Sequence, residues 1–360
     1  MSGDKSRIPE LDLLRFLAAL AVVIYHYGLP ADVGQPIARV TEFGFLGVQL
    51  FFMISGFVIL WTATNKTPAE FVISRLSRLY PTFWVAVLLT AASLYVLRGT
   101  FNPGVVLANL TMVPGPLRQP MLDKVYWTLV IEIKFYGLIL CLLLARQLAH
   151  IRGWLGGWLG VSVLAALFPS LHVLALDQCS VYFIAGCYLY LIRTRGAGAD
   201  LPPLAICAVL SVHNAIGMQA NFTHDPSFRA TVWIGAIVIA QYAVFLGLAL
   251  RRLSLPASPA WGWLGAMTYP LYLIHAGTVK NLGLQYLPEG PGRFTIMLAS
   301  AVLLAWILGR TIERKGCAAV SRRLTQSWNR IDFDALLGID RRRRADPMGR
   351  YMAMTAEDRI

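Results

Sequence analysis

The stretch LDLLRFLAALAVVIYHYG, residues 11–28, decides how the rest of the chain is read. It is apolar at nearly every position, and a helix needs roughly 20 such residues to cross the hydrocarbon of a bilayer. Comparable runs follow almost without a break from Leu11 to Ile312. The approximate spans are 11–29, 44–62, 80–97, 126–145, 155–172, 179–193, 202–218, 230–250, 262–286 and 294–312. Runs 155–172 and 179–193 are the weakest; losing both would leave the two chain ends on the same side. Composition agrees: 57% of the 360 residues are hydrophobic and 14% charged, against about 25% charged in a soluble domain. The mean hydropathy is +0.58. These figures exclude a soluble globular enzyme, a disordered chain and a coiled coil. The expected fold is all-α, a polytopic helical bundle of about ten transmembrane helices. It occupies residues 1–312, and 313–360 form a basic cytoplasmic tail, largely disordered.

Loop charge sets the orientation. With the N-terminus inside, the inner segments hold Lys5, Arg7, Lys66, Arg75, Arg78, Arg146, Arg152, Arg193, Arg195, Arg251 and Arg252. The outer loops hold Arg39, Arg98, Arg118, Lys124, Arg229 and Arg293. From Arg310 onward the tail adds twelve more, including the run Arg341-Arg342-Arg343-Arg344. The excess of lysine and arginine belongs on the cytoplasmic side, so both ends are expected there. The net charge of +13 follows the same pattern. It points to anionic lipid rather than nucleic acid, which would need a water-facing basic domain. Trp61, Trp84, Trp127, Trp261 and Trp263 fall near span ends, as interfacial anchors do. The five cysteines (Cys141, Cys179, Cys187, Cys207, Cys317) include no C-x-x-C pair. With His and Cys lacking ligand spacing, neither a disulfide framework nor a metal site is expected. The first span carries Arg15 and His26 and no cleavage site follows, so it reads as a span and not a signal peptide. The outer loop 98–125, rich in Pro and Gly, is placed to cover an outward cleft.

Ionisable groups inside spans are costly and mark functional sites. Arg15 and His26 are eleven residues apart. Eleven helical steps return to within about 20° of the start, so the two share one face, roughly 16 Å apart along the axis. Asp12 lies one turn below Arg15 and can pair with it. In the second span Gln49 and Ser55 are the uncharged polar side chains, and Gly56 permits close helix approach; helix packing and a substrate cavity both fit them. Arg75 and Arg78 lie three apart before Pro81, and paired guanidiniums at the inner surface suit phosphate oxygens. Glu132 needs a buried partner, with His26, a substrate hydroxyl or Lys134 as candidates, and Tyr136 shares its face. In the ninth span Tyr269, Tyr272 and His275 form one polar stripe around Pro270, which loosens the helix; Lys280 follows.

Five segments in order then carry a resemblance: LDLLRFLAALAVVIYH, GVQLFFMISGFVI, RLSRLYP, WTLVIEIKFY and LGAMTYPLYLIH. Together, over about residues 8–312, the chain resembles acyltransferase family 3, the membrane-bound saccharide O-acyltransferases. The resemblance implies an acyl-CoA donor from the cytoplasm, with acetyl as the expected acyl group, and a hydroxyl acceptor on a saccharide such as an exopolysaccharide, an O-antigen or a lipid-linked sugar. It implies a multi-pass protein of the bacterial plasma (inner) membrane with no permanently bound cofactor. Arg15 and His26 fall on the family's Arg-x10-His motif, whose histidine is taken as catalytic, and Arg75 and Arg78 on its Arg-x2-Arg motif. Glu132 falls on the glutamate of a Trp-Ser-Leu-x2-Glu pattern, with Thr128 replacing the serine. Ser55 and Gly56 match its Ser-Gly-Phe segment, and Tyr269 and His275 its late Tyr-and-His segment. Some members append an SGNH-type esterase domain; here a basic tail follows, so any second step would need a separate protein.

The expected mechanism holds the nucleotide on Arg15, Arg75 and Arg78 while the pantetheine arm threads toward His26. His26 acts as general base or is itself acylated, the former being favoured. Glu132 orients the imidazole, and Ser55, Tyr136, Tyr269, Tyr272 and His275 line the cavity or hold the oxyanion. Two other readings stay open: an acyltransferase for a small molecule such as a macrolide sugar, and a transporter or flippase for a lipid-linked sugar.

Overall fold

The structure, a computed structural model, describes residues 8–28, 41–100, 102–222, 227–256 and 258–331. Among them there are helices and turns but no strands. The long helices are α1 (Pro9–Gly28), α2 (Gly47–Thr64), α3 (Pro68–Arg98), α4 (Trp127–Leu144), α5 (Ile151–Leu167), α6 (Ser180–Arg195), α7 (Leu201–Gly217), α8 (Phe228–Ala249), α9 (Pro259–Ile274), α10 (Pro291–Leu308) and α11 (Cys317–Ile331). Each expected span falls on one of the first ten, and seven helical stretches are long and apolar enough to cross a membrane. Side chains such as Leu88, Val209, Ile239 and Leu303 stand exposed on the outside of the bundle. So much exposed apolar surface suits hydrocarbon, not water. The chain is a multi-pass membrane protein.

Local chemistry sets the ends of these helices. Thr67 caps α3, its hydroxyl accepting from the Glu70 amide while the Glu70 carboxylate accepts from the Thr67 amide. Pro68 fills the first turn, where no N–H is needed. Gly99 closes the helix at φ +66°, a left-handed conformation that costs glycine little. α9 passes through a π-helical segment, His275–Lys280, into Asn281–Tyr286, and α10 through a second, Gly309–Gly316, into α11. π-Turns occur mostly at functional positions.

α1 packs between α2 and α9, α2 lies along α6, and α3 and α4 close the remaining side. The contact between α2 and α6 is the closest kind available. Gly56 sits against the Phe183 carbonyl and Gly186 against the Met53 carbonyl, so neither position has room for a Cβ. From Ser180 to Leu189 every residue of α6 is buried. That explains why 179–193 reads as a weak span. A helix surrounded by protein needs no lipid-facing stripe, and it tolerates Tyr182, Cys187 and Tyr188 where lipid would not.

The described helices continue past the expected end of the membrane domain. The chain does not lose structure at residue 313: Glu313 is buried, and α11 lies against α3. Its polar residues hid it from a search for apolar runs, whereas Leu324 and Trp328 mark one helical face. The run Arg341–Arg344 lies outside the described residues.

Candidate active site in two adjoining cavities

α1 is unbroken from Pro9 to Gly28, so Arg15 and His26 stand on one rod, about 16 Å apart by helical rise. They open into two cavities that share Val48, Phe52 and Tyr272 as a common wall. The first, roughly 110 Å³, is lined by Arg15, Arg75 and Arg78 together with Ser55, Glu132, Tyr136, Tyr269 and Tyr272. The second, roughly 320 Å³, is lined by His26, Gln49, Lys124, Trp127 and Tyr182. The loop that precedes α4 reaches this second cavity through Lys124 and Val125.

In the guanidinium cavity, Arg15 makes no hydrogen bond or ion pair among the described residues. Arg75 reaches only the Ser74 hydroxyl, at 3.3 Å, and lies 5.9 Å over the Tyr136 ring. Arg78 is held by an ion pair to Glu313, whose carboxylate also accepts from the Thr82 hydroxyl at 2.7 Å. Glu313 is a site residue the sequence reading missed. It lies just past the last apolar run, and only tertiary structure brings it beside Arg78. Asp12 is buried against Gly265 of α9, which has no room for a Cβ.

Glu132 does not touch His26. Its Oε1 accepts from the Ser55 hydroxyl at 2.7 Å and the Tyr136 hydroxyl at 2.5 Å. Tyr136, four residues on, is thus the nearby partner that the helical spacing offered, and Ser55 is the second. The group beside His26 is His275. Its Nε2 lies 3.3 Å from His26 Nδ1, and its Nδ1 lies 2.6 Å from the Tyr272 carbonyl. His26 Nδ1 also lies 2.9 Å from the Val22 carbonyl. A carbonyl only accepts, so each Nδ1 carries the proton and donates it. The one Nδ1 proton of His26 goes to the Val22 carbonyl and is shared, at the longer distance, with His275 Nε2, and His26 Nε2 is left as an unprotonated base. His275 is fully buried at the first residue of the π segment, where the Tyr27 hydroxyl donates to its carbonyl at 2.9 Å. Two residues later the Gly277 amide donates to Asp123, at 2.5 Å, pinning the segment to the loop that precedes α4.

The hydroxyls expected to hold an oxyanion have other acceptors. Tyr269 donates to the Leu79 carbonyl at 3.2 Å. Tyr272 reaches the Val125 carbonyl at 3.1 Å and Thr128 at 2.8 Å. A hydroxyl has a single proton. Gln49 is different. It is 2% exposed, it lines the imidazole cavity, and neither its Nε2 nor its Oε1 has a hydrogen-bond partner among the described residues. A buried amide left so costs about 1–3 kcal/mol.

Over residues 8–310 the chain matches the family model described as an acyltransferase domain, that of acyltransferase family 3. It is 28% identical over 301 residues to the exopolysaccharide production protein ExoZ of Rhizobium meliloti, covering 74% of this chain and 86% of that one. It is 29% identical to the acyltransferase MdmB of Streptomyces mycarofaciens, covering 45% of each chain. It is 24% identical to the peptidoglycan O-acetyltransferase OatA of Listeria monocytogenes, covering 86% of this chain and 56% of that one. The chain therefore spans about half the length of the last two relatives. No solved structure matches it.

Proposed function

This chain belongs to acyltransferase family 3 and is an acyltransferase, and from that premise we propose that it moves an acyl group, acetyl in the first instance, from cytoplasmic acyl-CoA to a hydroxyl of a saccharide in the bacterial inner membrane. In this reading there are ten crossings and both chain ends are cytoplasmic. The observation that carries it is the juxtaposition along α1: open guanidiniums in one cavity, a base with a fixed tautomer in the next, and one wall of side chains between them.

Arg15 and Arg75 hold phosphate oxygens of the nucleotide, with Arg78 locked in place by Glu313. The pantetheine arm passes the shared wall at Phe52. Of the shared residues, Tyr272 is tied down by hydrogen bonds, whereas Phe52 is buried without a polar tie and packs against the Trp127 and Phe183 rings. His26 Nε2 takes the proton of the acceptor hydroxyl as that oxygen attacks the thioester carbonyl. The C–S bond breaks, and the CoA thiolate leaves with the proton that His26 returns. Gln49 finds its missing partners in the bound reactants: its N–H binds the acyl oxygen as charge develops there, and its carbonyl accepts from a sugar hydroxyl. Glu132, with Ser55 and Tyr136, balances the arginines in the donor cavity and does not serve as the third member of a triad.

The test is incubation of the purified protein in detergent with radiolabelled acetyl-CoA and a panel of saccharides. Label transfer by the wild type, abolished in His26→Ala, is the expected result. Undiminished transfer by that variant would remove the imidazole from the chemistry.

A further inference from the structure

At the end of the bundle that carries Arg78, a second cationic site lies between α9 and α10. Arg310, Arg314 and Lys315 line a cavity of roughly 630 Å³ with Trp263, Trp306 and Ile307. No carboxylate lines it, because Glu313, in the same π segment, turns inward onto Arg78 and Thr82. The guanidinium carbon of Arg310 stands 5.2 Å over the Trp263 ring and 4.9 Å over Trp306; that of Arg314 stands 4.2 Å over Trp263. Stacking uses the faces of the guanidiniums and leaves their in-plane N–H groups for an anion. Among the described residues no acceptor takes those N–H groups.

Ile307 also lines a neighbouring apolar cavity of roughly 520 Å³, with Leu282 and Tyr286 on one side and Met297 and Leu304 on the other. From Ile296 to Ile307 this groove follows α10 for about 16 Å, the reach of a large part of a fatty acyl chain. A cationic pocket thus runs into a hydrocarbon groove, the shape and polarity of one charged amphiphile. We propose that this is a binding site for an anionic phospholipid: its phosphate is held between Arg310, Arg314 and Lys315, and one acyl chain lies along α10. The headgroup grips the outer side of the segment whose inner side, through Glu313, holds Arg78.

Native mass spectrometry of the full-length protein in detergent, titrated with phosphatidylglycerol or with phosphatidylcholine of the same chains, tests the site. The wild type is expected to retain phosphatidylglycerol in preference by about tenfold or more. The double variant Arg310→Ala/Arg314→Ala should lose that preference. Arg322→Ala/Arg323→Ala, which removes the same charge from α11, should keep it. Ile307→Trp, which fills the junction of pocket and groove without touching a charge, should weaken retention of phosphatidylglycerol, and it serves if the double variant does not fold. Equal behaviour of the two double variants, or full retention by Ile307→Trp, would overturn the proposal. So would displacement of phosphatidylglycerol by an equimolar polyprenyl phosphate, which would assign the site to a lipid-linked substrate.

Discussion

In the proposed mechanism His275 acts on the acceptor only through His26, so its removal has a recognisable signature. In His275→Ala the His26 Nδ1 proton keeps the Val22 carbonyl, but the imidazole loses the ring packed edge-on against it at 4.9 Å and is less firmly held toward the cavity. Turnover is expected to fall by about 10²-fold, the cost of a misplaced catalytic group, while KM for acyl-CoA stays unchanged. Steady-state kinetics at varied donor concentration check this; a rise in donor KM with unchanged kcat would contradict it. Gln49→Leu carries an opposed pair of effects. Removing an unpartnered buried amide should raise thermal stability by about 1 kcal/mol or more, while transfer to the acceptor falls. A thermal shift read beside the transfer rate decides it, and a variant both less stable and fully active would refute the role. At this scale α1 was legible, because Arg15 and His26 differ by three helical turns and the period alone places them on one face. The pairing of His26 with His275 was not, since no spacing rule links residues 249 positions apart. The Ser55 partner of Glu132 was not legible either, because depth in the membrane can be estimated from sequence, but the direction in which a carboxylate points cannot.

Among the elements, α6 and α11 strain a hydropathy reading in opposite ways. α6 is buried and polar enough to look marginal; α11 is amphipathic and looks like a tail. α11 is recognised only from what packs against it, whereas α6 was expected at 179–193 and its burial explains its weak pattern. The α2–α6 contact predicts that Gly186→Val, which drives side-chain atoms into the Met53 carbonyl, prevents assembly of the bundle. Loss of the monodisperse peak in size-exclusion chromatography would show it, and a normal elution profile would contradict the packing described. Because Glu313 holds Arg78, a chain ending at residue 312 should bind acyl-CoA at least several-fold more weakly, whereas one ending at residue 331 should bind it normally. Titration of both truncations with acyl-CoA distinguishes a functional segment from a dispensable one.

On the proposed reading, the whole molecule sets phosphate-binding chemistry at one end of α1 and proton transfer farther along it. Composition and the order of apolar runs made the membrane bundle legible from sequence. The division of the site into two cavities was not, because it depends on Phe52 and Tyr272 standing between them. The most direct test of the central claim is acetyl-CoA binding, measured by calorimetry beside CoA release for Arg15→Ala and His26→Ala. Arg15→Ala is expected to weaken binding by about tenfold or more. His26→Ala should bind donor as the wild type does and release no CoA. Equal donor affinity in Arg15→Ala and the wild type, or continued CoA release by His26→Ala, would contradict the account.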